Sequence, residues 1–126
     1  MIVLDASVLI AHLAEEEVHG ERAFEILDSE DDLLVHPMTL AESLVGPVRT
    51  GLESDVLQTF ERLGIERLRP AADEPLVLAR LRATTSLKIP DCCVLATALE
   101  QGATLATFDS RLAQVARAMD VEVVGA

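Results

Sequence analysis

Aromatic residues are almost missing from this chain: tryptophan and tyrosine are absent, and Phe24, Phe60 and Phe108 are the whole set. That poverty argues against recognition of nucleobases on aromatic platforms and leaves Leu, Val, Ile and Ala to fill the core. Cysteine is scarce as well. Cys92 and Cys93 are neighbours, a spacing poor for an ordinary disulfide and unlike any metal-binding pattern, which points to a reducing cytoplasm and to small buried residues on a helix. No apolar run approaches the roughly 20 residues of a membrane-spanning helix. Met1 to Ala14 is apolar but carries Asp5 and His12 and lacks a basic leader and a cleavage pattern, so a soluble protein without a secretion signal is expected. Positive charge is also in short supply, with 10 Lys and Arg against 22 Asp and Glu, a net charge of -12. Such a surface repels phosphate backbones. Part of the excess is accounted for if clustered carboxylates await a cation, since they cannot all stay ionised close together without one. The remainder suits a basic protein partner.

What is present is apolar periodicity in a chain of 126 residues, half of them hydrophobic, enough for one domain spanning residues 1–126. Met1 to Leu4 reads as a strand ended by Asp5, and Ser7 to Ala14 as a helix. The acidic run Glu15 to Glu17 reads as a solvated loop or helix face. A second helix is expected over Glu21 to Leu27, a strand over Leu33 to His36 closed by Pro37, and helical character from Met38 to Val45, interrupted by Gly46 and Pro47. Glu53 to Leu63 follows as a helix capped by Gly64, then a strand at Ile65 to Leu68. Pro75 opens a helix to about Ser86 that Lys88, Ile89 and Pro90 stop. Asp91 stands just before a helix from Cys92 to Glu100 ended by Gly102. Thr104 to Thr107 is a strand, Asp109 and Ser110 cap a helix from Arg111 to Met119, and Val121 to Val124 is the last strand. Strands alternating with helices predict a three-layer α/β/α domain around a mainly parallel sheet of about five strands.

Functional groups in such sheets gather at the carboxyl ends of the strands. Asp5 and Asp109 follow apolar strands, Asp91 begins a helix that starts at the same edge, and Glu42 lies one turn into the segment after the second strand. Singly, each has a plain reading: the three aspartates sit in helix-capping places, and Glu42 could be a solvated helix residue. Together, four acids from separate segments suit a hard divalent cation such as Mg²⁺, or Mn²⁺ in its place. Bound there, it would activate water for displacement at phosphorus. Placement alone leaves nuclease, phosphatase and phosphoacceptor domain open.

Sequence detail narrows the choice. Val3-Leu-Asp-Ala-Ser7 resembles the opening motif of the PIN domain family, an apolar strand followed by Asp, any residue, then Ser or Asn. Thr39-Leu-Ala-Glu-Ser-Leu44, with Gly46 and Arg49 after it, is similar to the family's helix bearing its Glu. Ile89-Pro-Asp-Cys-Cys-Val-Leu-Ala-Thr-Ala-Leu99 resembles its third acidic motif, and Leu105-Ala-Thr-Phe-Asp109 its last strand with the Thr-x-Asp ending. The motifs occur in family order over nearly the whole chain. Cys92 stands where a small Ala is common, and Leu112 where an aromatic residue often follows; neither removes an acid.

The resemblance implies that Asp5, Glu42, Asp91 and Asp109 surround a Mg²⁺ or Mn²⁺ site, with Ser7 and Thr107 as hydroxyl supports. It implies an endoribonuclease, the toxin of a VapBC-type toxin–antitoxin pair. Its partners would be an RNA substrate, a small antitoxin that inserts a segment into the acidic pocket, and a second copy in a homodimer. Arg80, Arg82 and Lys88 are candidate contacts for RNA phosphates, with solvated helix residues as the plain alternative. His12, His19 and His36 lack zinc-site spacing and are assigned surface or packing roles. Two rivals are a catalytically silent PIN scaffold that serves as a binding module and a phosphoacceptor receiver domain. The receiver fits poorly, because only Asp5 follows the first strand and the sole lysine, Lys88, precedes the strand where a functional Lys would be sought.

Overall fold

Short apolar runs form most of the strands, the polar Ile65–Arg67 strand being the exception, and the longer segments between strands form the helices. The computed structural model describes residues 1–14 and 18–126; the acidic run Glu15 to Glu17 lies outside the described residues. In chain order the elements are β1 (Ile2–Leu4), α1 (Ala6–Leu13), α2 (Gly20–Asp28), β2 (Leu33–Val35), α3 (Pro37–Thr50), α4 (Glu53–Arg62) and β3 (Ile65–Arg67). They continue with α5 (Glu74–Thr84), α6 (Ile89–Gln101), β4 (Thr104–Ala106), α7 (Ser110–Ala118) and β5 (Val123–Val124).

All strand pairings are parallel, in the order β3-β2-β1-β4-β5. Successive residues along each strand point their side chains to opposite faces of the sheet, and two core clusters follow from that alternation. Val3, Leu34 and Leu105 pack with Leu81, Leu95 and Leu112 from α5, α6 and α7. Ile2, Leu4, Leu33, Val35 and Ala106 pack with Leu9, Ile26, Leu40 and Phe60 from α1 to α4. Right-handed crossovers require this segregation: strands added in one direction place their helices on one face, and those added in the other direction on the opposite face. The result is the expected three-layer α/β/α fold. Its strand order differs from the 2-1-3-4-5 order of receiver-type sheets, which removes the phosphoacceptor alternative.

Local expectations fail in two instructive places. Gly46 and Pro47 do not interrupt α3, which runs on to Thr50 and ends at Gly51 in the left-handed conformation. Proline disfavours a helical residue before it chiefly by clashing with that residue's Cβ and N–H; Gly46 has no Cβ, so much of the clash is gone. The Thr50 hydroxyl reaches back to the Gly46 and Pro47 carbonyls. The second failure concerns Lys88, Ile89 and Pro90, which do not stop a helix. The preceding helix ends at Thr84, and Lys88 is the N-cap of α6 with Pro90 in its first turn, where a missing N–H costs nothing. Asp91 therefore sits inside the first turn instead of before it. Both cysteines are buried on α6, and burial pushes the Cys93 thiol up to about 11. It is no thiolate at neutral pH.

Candidate active site

The chain reverses direction across the sheet between β1 and β4: residues after β1 build outward through β2 and β3, then return through α5 and α6 to β4. That switch point is where an open α/β sheet offers a crevice at its carboxyl edge. Asp5 stands there as the N-cap residue of α1, with its N–H donating to the Ala106 carbonyl at 2.9 Å. Asp109 is the N-cap of α7, and Asp91 lies in the first turn of α6. Three of the four acids are thus held at helix N-termini, where exposed N–H dipoles favour negative charge. Glu42 comes from the exposed side of α3.

Asp5 is the buried acid, with 7% of its surface exposed. Its Oδ2 accepts from the Ser7 hydroxyl and from the Thr107 hydroxyl, each at 2.7 Å. Oδ1 accepts no hydrogen bond among the described residues. The network extends further, because Ser7 Oγ accepts the Phe108 N–H and Thr107 Oγ1 accepts the Asp109 N–H, each at 3.0 Å. Asp109 Oδ1 caps α7 by accepting from the Arg111 and Leu112 N–H groups. The plain capping reading therefore holds for the Asp109 side chain, whereas neither Asp5 nor Asp91 makes a side-chain cap.

Behind this network stands Gly125. A Cβ at that position would lie 2.4 Å from the Thr107 carbonyl oxygen, and its φ is +101°. Glycine alone permits β5 and its tail to close on the Thr107–Phe108 peptide, and with it to hold the Thr107 hydroxyl against Asp5.

Electrostatics tie the four acids together. Asp91 is pushed up to about 6, first by desolvation and then by the negative charges of Asp5, Asp109 and Glu42, with Lys88 partly offsetting them. Glu42 is raised by desolvation and by Asp5. Neither accepts a hydrogen bond or ion pair among the described residues. The charges of Asp5, Glu42 and Asp109 thus all reach Asp91, and Lys88 is close enough to act on it as well. Arg82 acts on the Cys92 thiol, and nothing ties exposed Arg80 to the acids.

Among the described residues, no group of three or more His, Cys, Asp or Glu is drawn tightly enough to grip a bare metal ion. The donor chemistry nevertheless fits a hard divalent cation. The donors are all carboxylate oxygens, Oδ1 of Asp5 is free of protein hydrogen bonds, and Mg²⁺ commonly keeps several waters and uses one or two carboxylates. A depression of about 880 Å³ beside α4 and β3 contains none of the four acids. A polymer phosphate needs an open edge more than a deep pocket.

Sequence reasoning missed the role of His36. It is buried at the N-cap of α3, where Nδ1 accepts the Met38 N–H at 3.0 Å and Nε2 lies 3.0 Å from both carboxylate oxygens of Glu74. With Nδ1 accepting, Nε2 carries the proton and donates to Glu74. This pair clips the start of α3, which bears Glu42, to the start of α5. The His-Pro step at the head of a helix was the available signal for the cap; nothing local announced Glu74.

Comparison with known proteins follows the same lines. The pattern of the PIN domain family matches residues 2–118. Among solved structures the chain is similar to a toxin–antitoxin complex from Klebsiella pneumoniae, with 21% identity, a TM-score of 0.75 and 88% of each chain covered. It is also similar to VapC20 of Mycobacterium tuberculosis, a toxin that cleaves the sarcin–ricin loop, with 14% identity, a TM-score of 0.74, and 91% of this chain and 95% of that one covered. VapBC2 from Rickettsia felis, bound to a promoter DNA fragment, gives 17% identity, a TM-score of 0.72, and coverage of 98% and 97%. At these identities the likeness establishes the fold. No match was found among curated proteins.

Proposed function

The chain belongs to the PIN domain family, and on that premise we propose that it is a Mg²⁺- or Mn²⁺-dependent endoribonuclease, the toxin subunit of a toxin–antitoxin pair. The observation that carries the reading is the approach of Asp5, Glu42 and Asp109 to Asp91, which desolvation first and those three charges second push up to about 6. Desolvation and like-charge strain of this kind at the switch point of the sheet mark a functional site more than a stabilising one.

Asp5 and Asp91, with Glu42 and Asp109, would hold the cation. When bound it would supply Lewis-acid polarisation of the phosphate and a water more acidic than bulk water. The Ser7 and Thr107 hydroxyls keep Asp5 aimed, each donating to its Oδ2 at 2.7 Å. Glu42, exposed and without a protein partner, is free to take a proton from the attacking water. Lys88, with Arg82 and Arg80 farther along the same stretch, is proposed to meet RNA phosphates. A small antitoxin carrying a cationic segment fits the acidic edge and the net charge of -12. A site in the cytoplasm accords with this reading; no helix of the described residues is long and apolar enough to cross a membrane.

The test is to incubate purified protein with a mixed RNA pool and Mg²⁺ or Mn²⁺, beside EDTA and an identically purified Asp5→Asn protein. Cleavage confined to the wild type with metal is expected. Equal cleavage by the mutant would reject the site, and metal binding without any RNA turnover would favour a silent binding module.

A further inference from the structure

Base stacking looked excluded by composition, yet the folded chain assembles one flat platform beside the acids. The imidazole of His19, at the head of α2, lies over the Phe108 ring with centroids 4.3 Å apart and planes 15° from parallel. Phe108 is firmly set. It is half-buried, its N–H is bonded to Ser7, and its chain neighbours are Thr107, which donates to Asp5, and Asp109, the fourth acid. His19 stays exposed although Phe108 covers one of its faces, so its accessible surface is the other face and the ring edges. The remaining ring pair, His12 with Phe24, is looser, with centroids 6.4 Å apart, and lies toward the far end of α1 from Asp5.

An open, near-parallel ring pair anchored on the peptide between two site residues has the geometry of the lower layers of a stack. We propose that the outer face of His19 receives a nucleobase of single-stranded RNA flanking the scissile phosphate, with Phe108 as the fixed floor. The proposal rests on the ribonuclease reading. Stacking tolerates any base, because every base has a π-face, and the larger face of a purine gives the better contact. It also supplies what this surface lacks. With a net charge of -12, the chain gains little from phosphate contacts, whereas a stacked base contributes affinity without positive charge.

The probe is a short single-stranded RNA with 2-aminopurine placed at each position in turn, mixed with the full chain in Mg²⁺. Base fluorescence is followed on mixing, and cleavage is read separately from the same samples. Quenching should peak at one position near the cut. His19→Ala should abolish that quenching, weaken binding about tenfold and raise KM with little change in kcat. His19→Phe should restore both, and an abasic nucleotide at that position should make wild type and His19→Ala bind alike. Equal quenching by wild type and His19→Ala, or a fall in kcat with unchanged binding, would overturn the platform and leave the nuclease standing. Quenching that depends on His19 without any cleavage would keep the platform and remove the nuclease.

Discussion

The carboxylate of Asp5 accepts hydroxyl hydrogen bonds from Ser7 and Thr107, each at 2.7 Å, whereas those of Glu42 and Asp91 accept none among the described residues. The sheet side of the site is built from β1, β4 and the peptides just beyond them, with Gly125 closing behind. Its geometry is complete without a cation. The helical side, from α3 and α6, brings two unpartnered acids toward Asp5, and both are raised by desolvation and by like charge. One side is preorganised and the other is under strain. A cation arriving here finds an oriented ligand in Asp5 and relieves repulsion at Asp91, so the two sides should respond differently to the same perturbation.

The sharpest contrast comes from neutralising one acid on each side. Asp5→Asn and Asp91→Asn should each lower RNA cleavage by more than about a hundredfold, a loss at least as large as that of a residue supporting a metal ligand. Their effects on the metal-free protein should have opposite signs. Asp91→Asn removes a repelled charge and should raise the melting temperature while blunting the rise that Mn²⁺ produces. Asp5→Asn relieves the same repulsion, but it also weakens two hydroxyl bonds to a charged acceptor, each worth about 1.5–3 kcal/mol, so the net change should be a loss of about 1 kcal/mol. Denaturation curves with and without Mn²⁺ decide it; stability changes of the same sign would erase the distinction between the two sides.

A smaller effect is expected from Thr107→Val, which keeps the shape but removes a donor to Asp5 and the acceptor for the Asp109 N–H. Activity should fall about 10- to 100-fold, the usual range for a residue that orients a ligand. The Mn²⁺-induced melting shift should survive, because the strained side is untouched. Loss of that shift would mean that the hydroxyl network and the repelled acids are a single unit.

The mildest test is pH. Asp91 rises from 3.8 to about 6 on folding, so between those values the native state holds this proton more tightly than the unfolded chain. Its stabilising contribution is full below the lower value and is lost as pH rises through the upper one. Metal-free wild type should therefore melt higher near about pH 5 than near about pH 8, and Asp91→Asn should show a weaker dependence. An identical pH profile in the mutant would assign the effect to the general negative charge of the chain.

Much of this was legible before folding was considered. Ile2–Leu4 and Leu33–Val35 announce themselves as apolar triplets, Thr104–Ala106 as a short run between turn residues, and Pro75 marks the head of α5. Asp5, Asp91 and Asp109 stand out because each falls just past a strand or at a helix head, whereas Glu42, a turn into α3, stands out only through the motif around it. The Gly46-Pro47 step misled because a breaker pair was read without weighing that glycine lifts proline's constraint on its predecessor. Lys88 to Pro90 misled because a proline that follows one helix can equally open the next.

Sequence by itself therefore determined the layered α/β class and the order of its elements and singled out the four acids as candidates, since these depend on periodicity and on residues close together in the chain. Tertiary structure alone decided how those acids differ. The hydroxyl that steadies Asp5 comes from Thr107, 102 positions away, the carboxylate that holds His36 from Glu74, 38 positions away, and the ring beneath His19 from Phe108. The strain on Asp91 likewise exists only when β1, β4, α3 and α6 meet at one edge. Repulsion, desolvation and stacking fall off over a few ångströms, so they have no values until the chain has brought its distant segments together.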